Sequence, residues 1–377
     1  MHYTPYGGSE IFLSRFIERL VDEGHECHIF ATQWDKSKKN NILIHNVWFL
    51  KWPSFMKVLS FAVGSYFALK RVPLDVILSF ERTLYHDVFR AGDGCHKEWL
   101  IQRRKAVSPL RYLTILFNPF HLALLFIEKK IFKMKKLQAI IANSHMVKRE
   151  IIKHYDVREN NIHIIYNGLD PTLFNLMGAS ELRKKYRESL GISDNTFLLL
   201  FVGSGFERKG LLYLIEAVAI LKKRINTIKL LVVGRGKTRR YESISYKCNI
   251  GQDVIFLGPQ RDVRGLYSAS DIFVLPTLYD PFSNATLEAM AYGKPVVTSK
   301  FNGASEVVEK EDMGCIIQEP KNPDEIASKT EEVIVKVNKK VYKDKDKNIA
   351  KNYSIESTVK EYLHILEKIK ISRNERL

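Results

Sequence analysis

The chain has 377 residues, of which 45% are hydrophobic and 27% charged, so it can build packed cores for two domains and is not globally disordered. Its formal net charge of +17 indicates an anionic partner: a nucleic acid, an anionic membrane surface or a phosphorylated substrate. The cysteines (Cys27, Cys95, Cys248, Cys315) are widely scattered, which indicates free thiols in a reducing compartment and argues against a zinc site.

The sequence predicts neither a signal peptide nor a membrane span. The N-terminus is not basic and then apolar, as a signal peptide would be. The most membrane-like run, from Tyr112 to Ile127, has 16 residues and is interrupted at Asn118-Pro119, so it is too short to cross a bilayer. We therefore expect a protein that is not integral to a membrane.

The first predicted helix opens at Gly7-Gly8 and ends at Gly24. Its apolar face consists of residues at helical spacing, namely Leu13, Phe16, Ile17 and Leu20. A glycine pair that opens a helix usually follows a strand in a nucleotide-binding α/β unit, yet only six residues precede Gly7. We therefore expect that the first strand of this domain is missing, through a mis-assigned start codon or a truncation.

Strands and helices then alternate up to residue 168. The predicted strands cover residues 25–31, 47–50, 75–80, 86–93, 138–143 and 161–166. Predicted helices run from Lys57 to Arg71 and onward from Ser144. Asn167-Gly168 forms a turn, and residues 169–176 are a predicted linker.

A second alternating series begins with the continuous apolar run at 196–203, which is typical of a buried parallel strand. Its partner strands are predicted at 228–233, 254–257, 272–275, 295–299 and 314–317. The two series predict an α/β protein with two doubly wound, Rossmann-like domains that face one another across a cleft. The predicted domains are residues 1–168 and 169–352, followed by an amphipathic helix in 353–377.

Two carboxylates mark the best candidate site. Asp280 stands just before a predicted helix, and Glu288 lies about one turn inside it. Between them, the helix-start amides of Asn284, Ala285 and Thr286 can hold an anion such as phosphate.

A second motif, Gly-Ser-Gly-Phe-Glu-Arg-Lys-Gly at 203–210, lies between a strand and a helix. Gly203 lets the backbone approach a phosphate, and Arg208 and Lys209 supply two cations. Such cations are unfavourable at a helix start unless an anion is bound there. Arg261, after another strand, lies either near a nucleotide base or pyrophosphate or on the surface as an ordinary arginine.

In the first domain, Asp93 and His96 follow a strand among glycines, where side chains can point towards a ligand. A turn-capping role for Asp93 is the alternative. Asp344 and Asp346 have the spacing of a metal-binding pair, but they lie in an alternating lysine-aspartate run that is typical of a solvated face. We predict no metal site there.

Residues 97–136 form a basic insertion with ten Lys or Arg, two Glu and interleaved aromatic residues. This composition is typical of a segment that lies on an anionic membrane surface. Nucleic acid would match the same charge, but no nucleic-acid-binding module is present. A helical hairpin partly buried in the first domain is a further possibility and is compatible with docking.

These motifs together resemble those of the retaining nucleotide-sugar glycosyltransferases of family 4. The Asp280/Glu288 pair is similar to the acid-x7-Glu signature of that family, and 203–210 is similar to its donor-phosphate motif. The pair Gly7-Gly8 resembles its glycine-rich loop. The segment around Asp93 looks like that of bacterial glucosyltransferases that glucosylate the heptose of lipopolysaccharide inner core. Family members often have Glu-Phe-Gly where this chain has Asp280-Pro-Phe-Ser.

The resemblance covers nearly the whole chain and implies a GT-B fold whose final helix crosses back onto the first domain. It implies metal-independent transfer with retention and without a cofactor. Glu288 would bind the ribose, Asp280 the donor sugar, and Arg208 and Lys209 the departing diphosphate. Gly7, Gly8 and Gly203 would allow close approach of the donor.

On the acceptor side, the resemblance implies that Asp93 positions or activates the acceptor, with His96 as a second candidate. The expected reaction moves glucose from UDP-glucose, or another UDP-sugar, onto a heptose of the phosphorylated lipopolysaccharide core. We expect a cytoplasmic enzyme, peripheral on the inner face of the cytoplasmic membrane, with no nucleic-acid partner. The alternatives are another family 4 transferase, a nucleotide-sugar epimerase on the same fold, and a non-catalytic membrane-binding remnant.

Overall fold

The computed structural model describes residues 8–34, 41–104, 109–170, 178–342 and 346–375. The chain divides into two compact units. The first consists of Met1–Gly168 and Ser354–Leu377, and the second of Leu169–Tyr353. Most of the predicted linker, at 171–177, lies outside the described residues.

The strands described in the first unit are all parallel. They are β1 (Cys27–Ala31), β2 (Ile42–Asn46), β3 (Leu78–Ser79), β4 (Val88–Ala91), β5 (Ala139–Ala142) and β6 (Ile162–Ile164). Within the described ranges they form two separate sheets, a β1-β2 pair and a sheet of order β3-β4-β5-β6.

The prediction of a strand at 47–50 is wrong. The strand lies earlier in the chain, at β2 (Ile42–Asn46). After β2 the chain turns away: Val47 N–H still donates to Ala31 O at 2.9 Å, but Leu50 N–H donates to the Ser60 hydroxyl at 2.9 Å. Residues 47–50 are therefore held against the next helix and not in a sheet.

The helices of the first unit before the boundary are α1 (Gly8–Asp22), α2 (Ser54–Lys70), α3 (His96–Arg104), α4 (Pro109–Leu116), α5 (Pro119–Phe132) and α6 (His145–Tyr155). Asn118 caps α5 by accepting from Phe120 N–H, and Pro119 follows at the first helical position, so the apolar run is broken where the sequence predicts. Ser144 caps α6 through Val147 N–H. The described residues of the basic insertion are therefore mostly helical.

The second unit is built on one parallel sheet of order β12-β11-β10-β7-β8-β9. Its strands are β7 (Phe197–Val202), β8 (Ile228–Val233), β9 (Val254–Gly258), β10 (Ile272–Leu275), β11 (Val296–Ser299) and β12 (Gly314–Ile317). β7 and β10 are buried neighbours at its centre, which explains their continuous apolar sequences.

Helices connect these strands and cover the sheet. They are α7 (Ala179–Ser189), α8 (Leu211–Lys222), α9 (Thr238–Lys247), α10 (Arg264–Ala269), α11 (Asn284–Ala291), α12 (Ser305–Lys310), α13 (Pro323–Asn338) and α14 (Asp346–Asn352).

The last helix, α15 (Ile355–Asn374), belongs to the first unit. It packs on α1, with the rings of Tyr362 and Phe16 edge to face at 4.8 Å between centroids. Arg19 and Glu356 form an ion pair of 2.7 Å at the rim of this contact. The buried face of α15 consists of Ile355, Val359, Tyr362, Ile365 and Ile369.

Within the described ranges, no helix is long and apolar enough to cross a membrane. The four cysteines are free thiols; Cys95 and Cys315 are buried, and Cys27 and Cys248 are partly buried.

Candidate active site

The two main motifs of the second unit meet because their strands are neighbours. The loop with Arg208 and Lys209 follows β7, and the loop with Asp280 follows β10. Parallel neighbours end at the same edge of a sheet, which is where ligands bind in open α/β folds. Side chains that are 71 residues apart in sequence therefore share one site.

Backbone contacts fix these two loops to each other. Leu278 N–H donates to Arg208 O at 2.8 Å, and the Thr277 hydroxyl donates to the same oxygen at 3.1 Å. Gly210 has a φ of +77°, and a Cβ built on it would lie 2.0 Å from Pro276 O. Only glycine allows this close approach of the two loops.

Asp280 and two cations form the centre of the site. Lys209 Nζ donates to Asp280 Oδ2, and both side chains are buried. Arg208 Nη1 lies 3.7 Å from the same oxygen and donates to Tyr279 O at 2.8 Å. Burial alone would raise the pKa of the Asp280 carboxyl, but Lys209 and Arg208 hold it below its ordinary value.

The charge balance of this cluster favours an anionic ligand. One carboxylate faces two cations, so positive charge is left over at the strand ends. Arg208 is the more exposed cation, with 37% of its side chain accessible against 10% for Lys209. Arg208 can therefore reach a bound anion directly, while Lys209 is held in place by Asp280.

Asn302 anchors the loop that carries Asp280. Asp280 N–H donates to Phe301 O, and Asp280 O accepts from Gly303 N–H. The fully buried Asn302 side chain accepts from Ser283 N–H at 3.1 Å and donates to the Thr286 hydroxyl at 3.0 Å. This network sets where the loop ends and where α11 begins.

The start of α11 corrects the predicted phosphate site at one residue. Thr286 is fully buried, its N–H donates to Ser283 and its hydroxyl accepts from Asn302. An amide already used in the helix cap cannot also bind a phosphate well, so Thr286 stabilises the helix start. The predicted phosphate contacts are thereby reduced to the amides of Asn284 and Ala285, both partly buried.

Glu288 lies within α11 and is oriented by Tyr267 from α10. The Tyr267 hydroxyl donates to Glu288 Oε2 at 2.9 Å, and Tyr267 stacks on Tyr292 with 5.3 Å between ring centroids. Burial raises the pKa of Glu288, and the hydrogen bond from Tyr267 offsets part of that increase. The carboxylate can accept from a ligand hydroxyl with its second oxygen.

The other predicted donor residues fall at different places. Gly203 directly follows β7 beside the Lys209 side chain, in the cluster. Arg261 is exposed and follows β9. Strand β8 lies between β9 and β7 in the sheet, so Arg261 does not follow a neighbour of β7. Gly8 is the first residue of α1, and Gly7 lies outside the described residues.

In the first unit, Asp93 lies in the turn between β4 and α3, and His96 is the first residue of α3. Asp93 is exposed, and its Oδ2 lies 3.7 Å from Arg82 Nη1. His96 Nε2 lies 3.2 Å from His121 Nδ1. Burial, together with Arg82, His121 and Arg103, lowers the pKa of His96 to about 3, so His96 is neutral at physiological pH.

The buried carboxylate of Glu128, in α5, accepts hydrogen bonds from the backbone at the end of this turn. It is 1% exposed, and it accepts from His96 N–H at 2.8 Å, Lys97 N–H at 3.3 Å and the Tyr155 hydroxyl at 2.5 Å. Arg82 Nη2 adds a contact of 3.4 Å and also donates to Gly94 O. Glu128 therefore fixes both the start of α3 and the arginine beside Asp93.

Sequence reasoning missed Tyr267, Asn302, Arg82 and Glu128. Glu128 could have been identified from the sequence, because it is one of only two acids in the basic insertion. The other, Glu98, is also buried, with contacts of 2.6 Å to Gln102 and to His154. Both acids are thus internal partners and add little negative charge to the surface.

In the part of the chain that the structure covers, no group of three or more His, Cys, Asp or Glu side chains is placed to hold a metal ion. Asp344 lies outside that part.

Two family models match the chain. The model described as Glycosyltransferase Family 4 matches residues 6–173, and the model described as Glycosyl transferases group 1 matches residues 183–360. Together they cover nearly all of both units.

Relatives and solved structures agree with these matches. Lipopolysaccharide glucosyltransferase WaaG of Escherichia coli (strain K12) is 26% identical over 320 residues, covering 84% of this chain and 83% of the relative. An uncharacterized glycosyltransferase of Methanocaldococcus jannaschii is 29% identical over 383 residues, covering 96% and 95%.

The crystal structure of WaaG, a glycosyltransferase involved in lipopolysaccharide biosynthesis, superposes with a TM-score of 0.81 at 23% identity and 97% coverage of both chains. Anabaena HepE in complex with UDP-glucose gives a TM-score of 0.69 at 19% identity and 98% coverage of both. The fold predicted from the sequence is confirmed. The chain is a glycosyltransferase of the family 4 type with the GT-B fold.

Proposed function

We propose that this enzyme transfers glucose from UDP-glucose, with retention and without a metal ion, onto a heptose of lipopolysaccharide inner core. The surplus of positive charge at the Arg208–Lys209–Asp280 cluster carries this proposal. It fits the diphosphate of a nucleotide-sugar, the group on which negative charge develops as the sugar leaves. The relationship to WaaG supports the glucosyl donor and the lipopolysaccharide acceptor.

The donor is bound by the second unit. Arg208 and the amides of Asn284 and Ala285 contact the diphosphate, and Glu288 accepts from the ribose hydroxyls. HepE was solved with UDP-glucose, which supports a UDP-sugar as the donor. Asp280 lies beside the transferred sugar, and its ion pair with Lys209 sets its position.

Electrostatic stabilisation of the departing diphosphate accounts for catalysis. The cations are already held by Tyr279 O and by Asp280, so they need little reorganisation when charge develops. They take the role that a divalent cation has in other phosphate chemistry, which is why we propose metal independence. Asp93, exposed at the turn after β4, positions the acceptor hydroxyl, and the neutral His96 is a second acceptor-side contact.

The acceptor is a phosphorylated glycolipid, and the basic insertion suits the membrane in which it lies. Exposed apolar residues from α4, α5 and the link between them accompany its cations, chiefly Leu113, Leu116, Phe117, Leu122 and Phe126. Since Glu98 and Glu128 are buried, the cations of the insertion face anionic lipid with little opposing charge. We place the enzyme on the inner face of the cytoplasmic membrane.

The test is release of UDP by the purified protein, supplied with UDP-glucose and a heptose-terminated core acceptor. We expect acceptor-dependent UDP release, an α-configured product by NMR and unchanged rates in EDTA. Arg208→Ala should lower turnover by about 100-fold, the scale for loss of one preorganised electrostatic contact. Lys223→Ala, which removes an exposed cation at the end of α8, is the matched control and should keep full turnover.

Other outcomes separate the alternatives. Conversion of the UDP-sugar without any acceptor would favour an epimerase. Turnover on a different acceptor would favour another family 4 transferase. Absence of turnover with every sugar donor and acceptor tried would contradict the proposal and favour a membrane-binding remnant.

A further inference from the structure

We infer that the first unit has a second membrane-docking surface, formed by Trp48, Leu50, Trp52, Val63 and Phe67, which inserts aromatic side chains into an anionic lipid surface. We call these five residues the tryptophan patch. The inference rests on the membrane docking proposed above and extends it from the basic insertion to the β2–α2 segment.

The patch combines two segments that contact each other, because the loop after β2 lies along α2. Leu50 N–H donates to the Ser60 hydroxyl at 2.9 Å. A Cβ built on Gly64 would lie 2.3 Å from Trp48 O, so the missing side chain at Gly64 allows this close contact. The backbone of Trp48 is therefore held against Gly64 of α2, and the exposed Val63 and Phe67 lie on the same helix, one turn apart.

The side chains of the patch are unusually exposed for their type. Trp52 is 84% exposed, Trp48 67% and Phe67 56%. Single exposed apolar residues are ordinary, but five on one loop and the helix against which it packs are typical of an interaction surface. Tryptophan in particular favours the water–lipid interface, where its ring is apolar and its N–H stays hydrated.

The charge around the patch identifies lipid as the partner. Residues 41–74 contain four cations and no acid. These cations, Lys51, Lys57, Lys70 and Arg71, are all exposed. A stretch that combines exposed aromatic residues with cations alone fits an anionic membrane, on which each cation contributes about 1 kcal/mol.

The patch is structurally tied to the basic insertion. Helix α2 packs against α5 through a shared core that includes Ala62, Ile127 and Ile131. Since α5 also carries exposed Leu122 and Phe126, two packed helices of one unit each present apolar side chains to solvent. Two docking elements on one rigid support bind a surface more tightly than either alone.

The test uses the whole protein and sedimentation with vesicles of phosphatidylethanolamine and phosphatidylglycerol. Trp48→Ser with Trp52→Ser should weaken binding about tenfold, because two interfacial side chains are lost. Val63→Ser should weaken it measurably. Val335→Ser is the matched control, since Val335 is 47% exposed in the second unit and Val63 is 46% exposed in the patch.

A second measurement reports insertion directly. Lipids brominated on their acyl chains should quench the tryptophan fluorescence of the unaltered protein. Trp48→Phe with Trp52→Phe should still bind the vesicles but lose most of that quenching. Unchanged quenching in this variant, or unchanged binding in the serine variants, would overturn the inference.

Further experiments distinguish failure of this inference from failure of the proposed docking by the basic insertion and of the proposed transferase activity. If Lys129→Ser with Lys130→Ser abolishes vesicle binding while the serine variants of the patch bind normally, the insertion docks alone and the inference fails. If the unaltered protein binds no vesicles, both docking proposals fail. Turnover on a water-soluble heptoside, measured in parallel, tests the transferase activity independently of any membrane. Binding only to a second copy of the chain, seen as a dimer by light scattering, would also overturn the inference.

Discussion

At the scale of single residues, burial and the hydroxyl of Tyr267 act in opposite directions on the pKa of Glu288. Burial favours the protonated form of Glu288, and the hydrogen bond from Tyr267 favours the carboxylate. Because a protonated carboxyl is a weaker acceptor for a ribose hydroxyl, donor binding should depend on this balance.

We therefore expect UDP affinity to fall in mildly acid solution, at a pH above the ordinary pKa of a glutamate, because the pKa of Glu288 is raised. Tyr267→Phe removes the hydrogen bond that favours the carboxylate, so the fall should move to higher pH. Isothermal titration with UDP across pH checks this. Glu288→Gln should bind weakly without that pH dependence; a pH dependence that persists in Glu288→Gln would assign it to another group.

Glu128 is the residue on which the acceptor-side turn depends. Glu128→Gln leaves Arg82, whose side chain is 13% exposed, without its closest carboxylate, and it presents an amide N–H to groups that are themselves donors. We expect a loss of about 3 kcal/mol in the free energy of unfolding of the first unit, together with lower turnover.

Chemical denaturation measures this loss. Tyr155→Phe is the matched control, since it removes one hydrogen bond to Glu128 and keeps the charge pair, and it should cost about 1 kcal/mol. Equal losses in the two variants would show that the charge of Glu128 is unimportant.

The sequence allowed the ionisable motifs to be identified but not their partners. Arg208 and Lys209 were recognisable because cations before a helix are uncommon without a ligand. Asp280 was recognisable because its spacing to Glu288 is similar to the acid-x7-Glu signature. Tyr267 was not recognisable, because an aromatic residue 21 positions before Glu288 has no periodic relation to it. Its role follows from the tertiary contact between Tyr267 of α10 and Glu288 of α11. A local sequence pattern carries no information about such a contact.

At the scale of secondary structure elements, the junction between the β7–α8 loop and the β10–α11 loop depends on Gly210. Gly210→Ala combines a strained backbone at φ +77° with a clash against Pro276 O. We expect it to destabilise the second unit by more than 3 kcal/mol, in the upper range of single substitutions, and to weaken UDP binding.

Gly191→Ala separates strain from clash. Gly191 has a φ of +63°, and a Cβ built there meets nothing within 4 Å, so this variant should lose only about 1 kcal/mol in thermal denaturation. If the two variants were equally stable, close approach of the loops would not be the reason for glycine at position 210.

The elements themselves were predicted best where burial is complete. The central strands β7 and β10 of the second unit have uninterrupted apolar sequences because helices cover both faces of the sheet, and all six strands predicted in that unit are present. In the first unit, residues 42–44 and 47–50 are two apolar stretches close together in the sequence. The sequence pattern favoured a strand at the second stretch, but the strand includes the first. The Ser60 hydroxyl, which holds Leu50 against α2, decides between them and is remote in sequence.

At the scale of the whole molecule, the second unit is inserted between two parts of the first. The chain leaves the first unit after Gly168 and returns at Ser354, and α15 then completes the core around Phe12, Phe16 and Val88. Loss of α15 should therefore destabilise the first unit, most of which is distant from α15 in sequence. It should leave the second unit folded, although that unit directly precedes α15 in the chain.

A chain ending at Tyr353 tests this. We expect limited proteolysis to digest residues before Gly168 rapidly, because burial of the α15 face is lost, while a fragment of the second unit persists. Mass spectrometry identifies the fragments. Ile371→Ser, at an exposed position of α15, is the control in the full chain and should leave the digestion pattern unchanged. A protease-resistant first unit in the shortened chain would contradict the expectation.

The return of α15 also fixes an order of events on the ribosome. The second unit is one continuous segment, so it can fold as soon as Tyr353 has left the exit tunnel. The first unit begins to emerge earlier, yet the part of its core around Phe12 and Phe16 stays open until α15 has been made. During that interval the apolar faces of α1, β4 and β5 remain uncovered by α15, and apolar surface exposed in this way makes a nascent chain prone to aggregate.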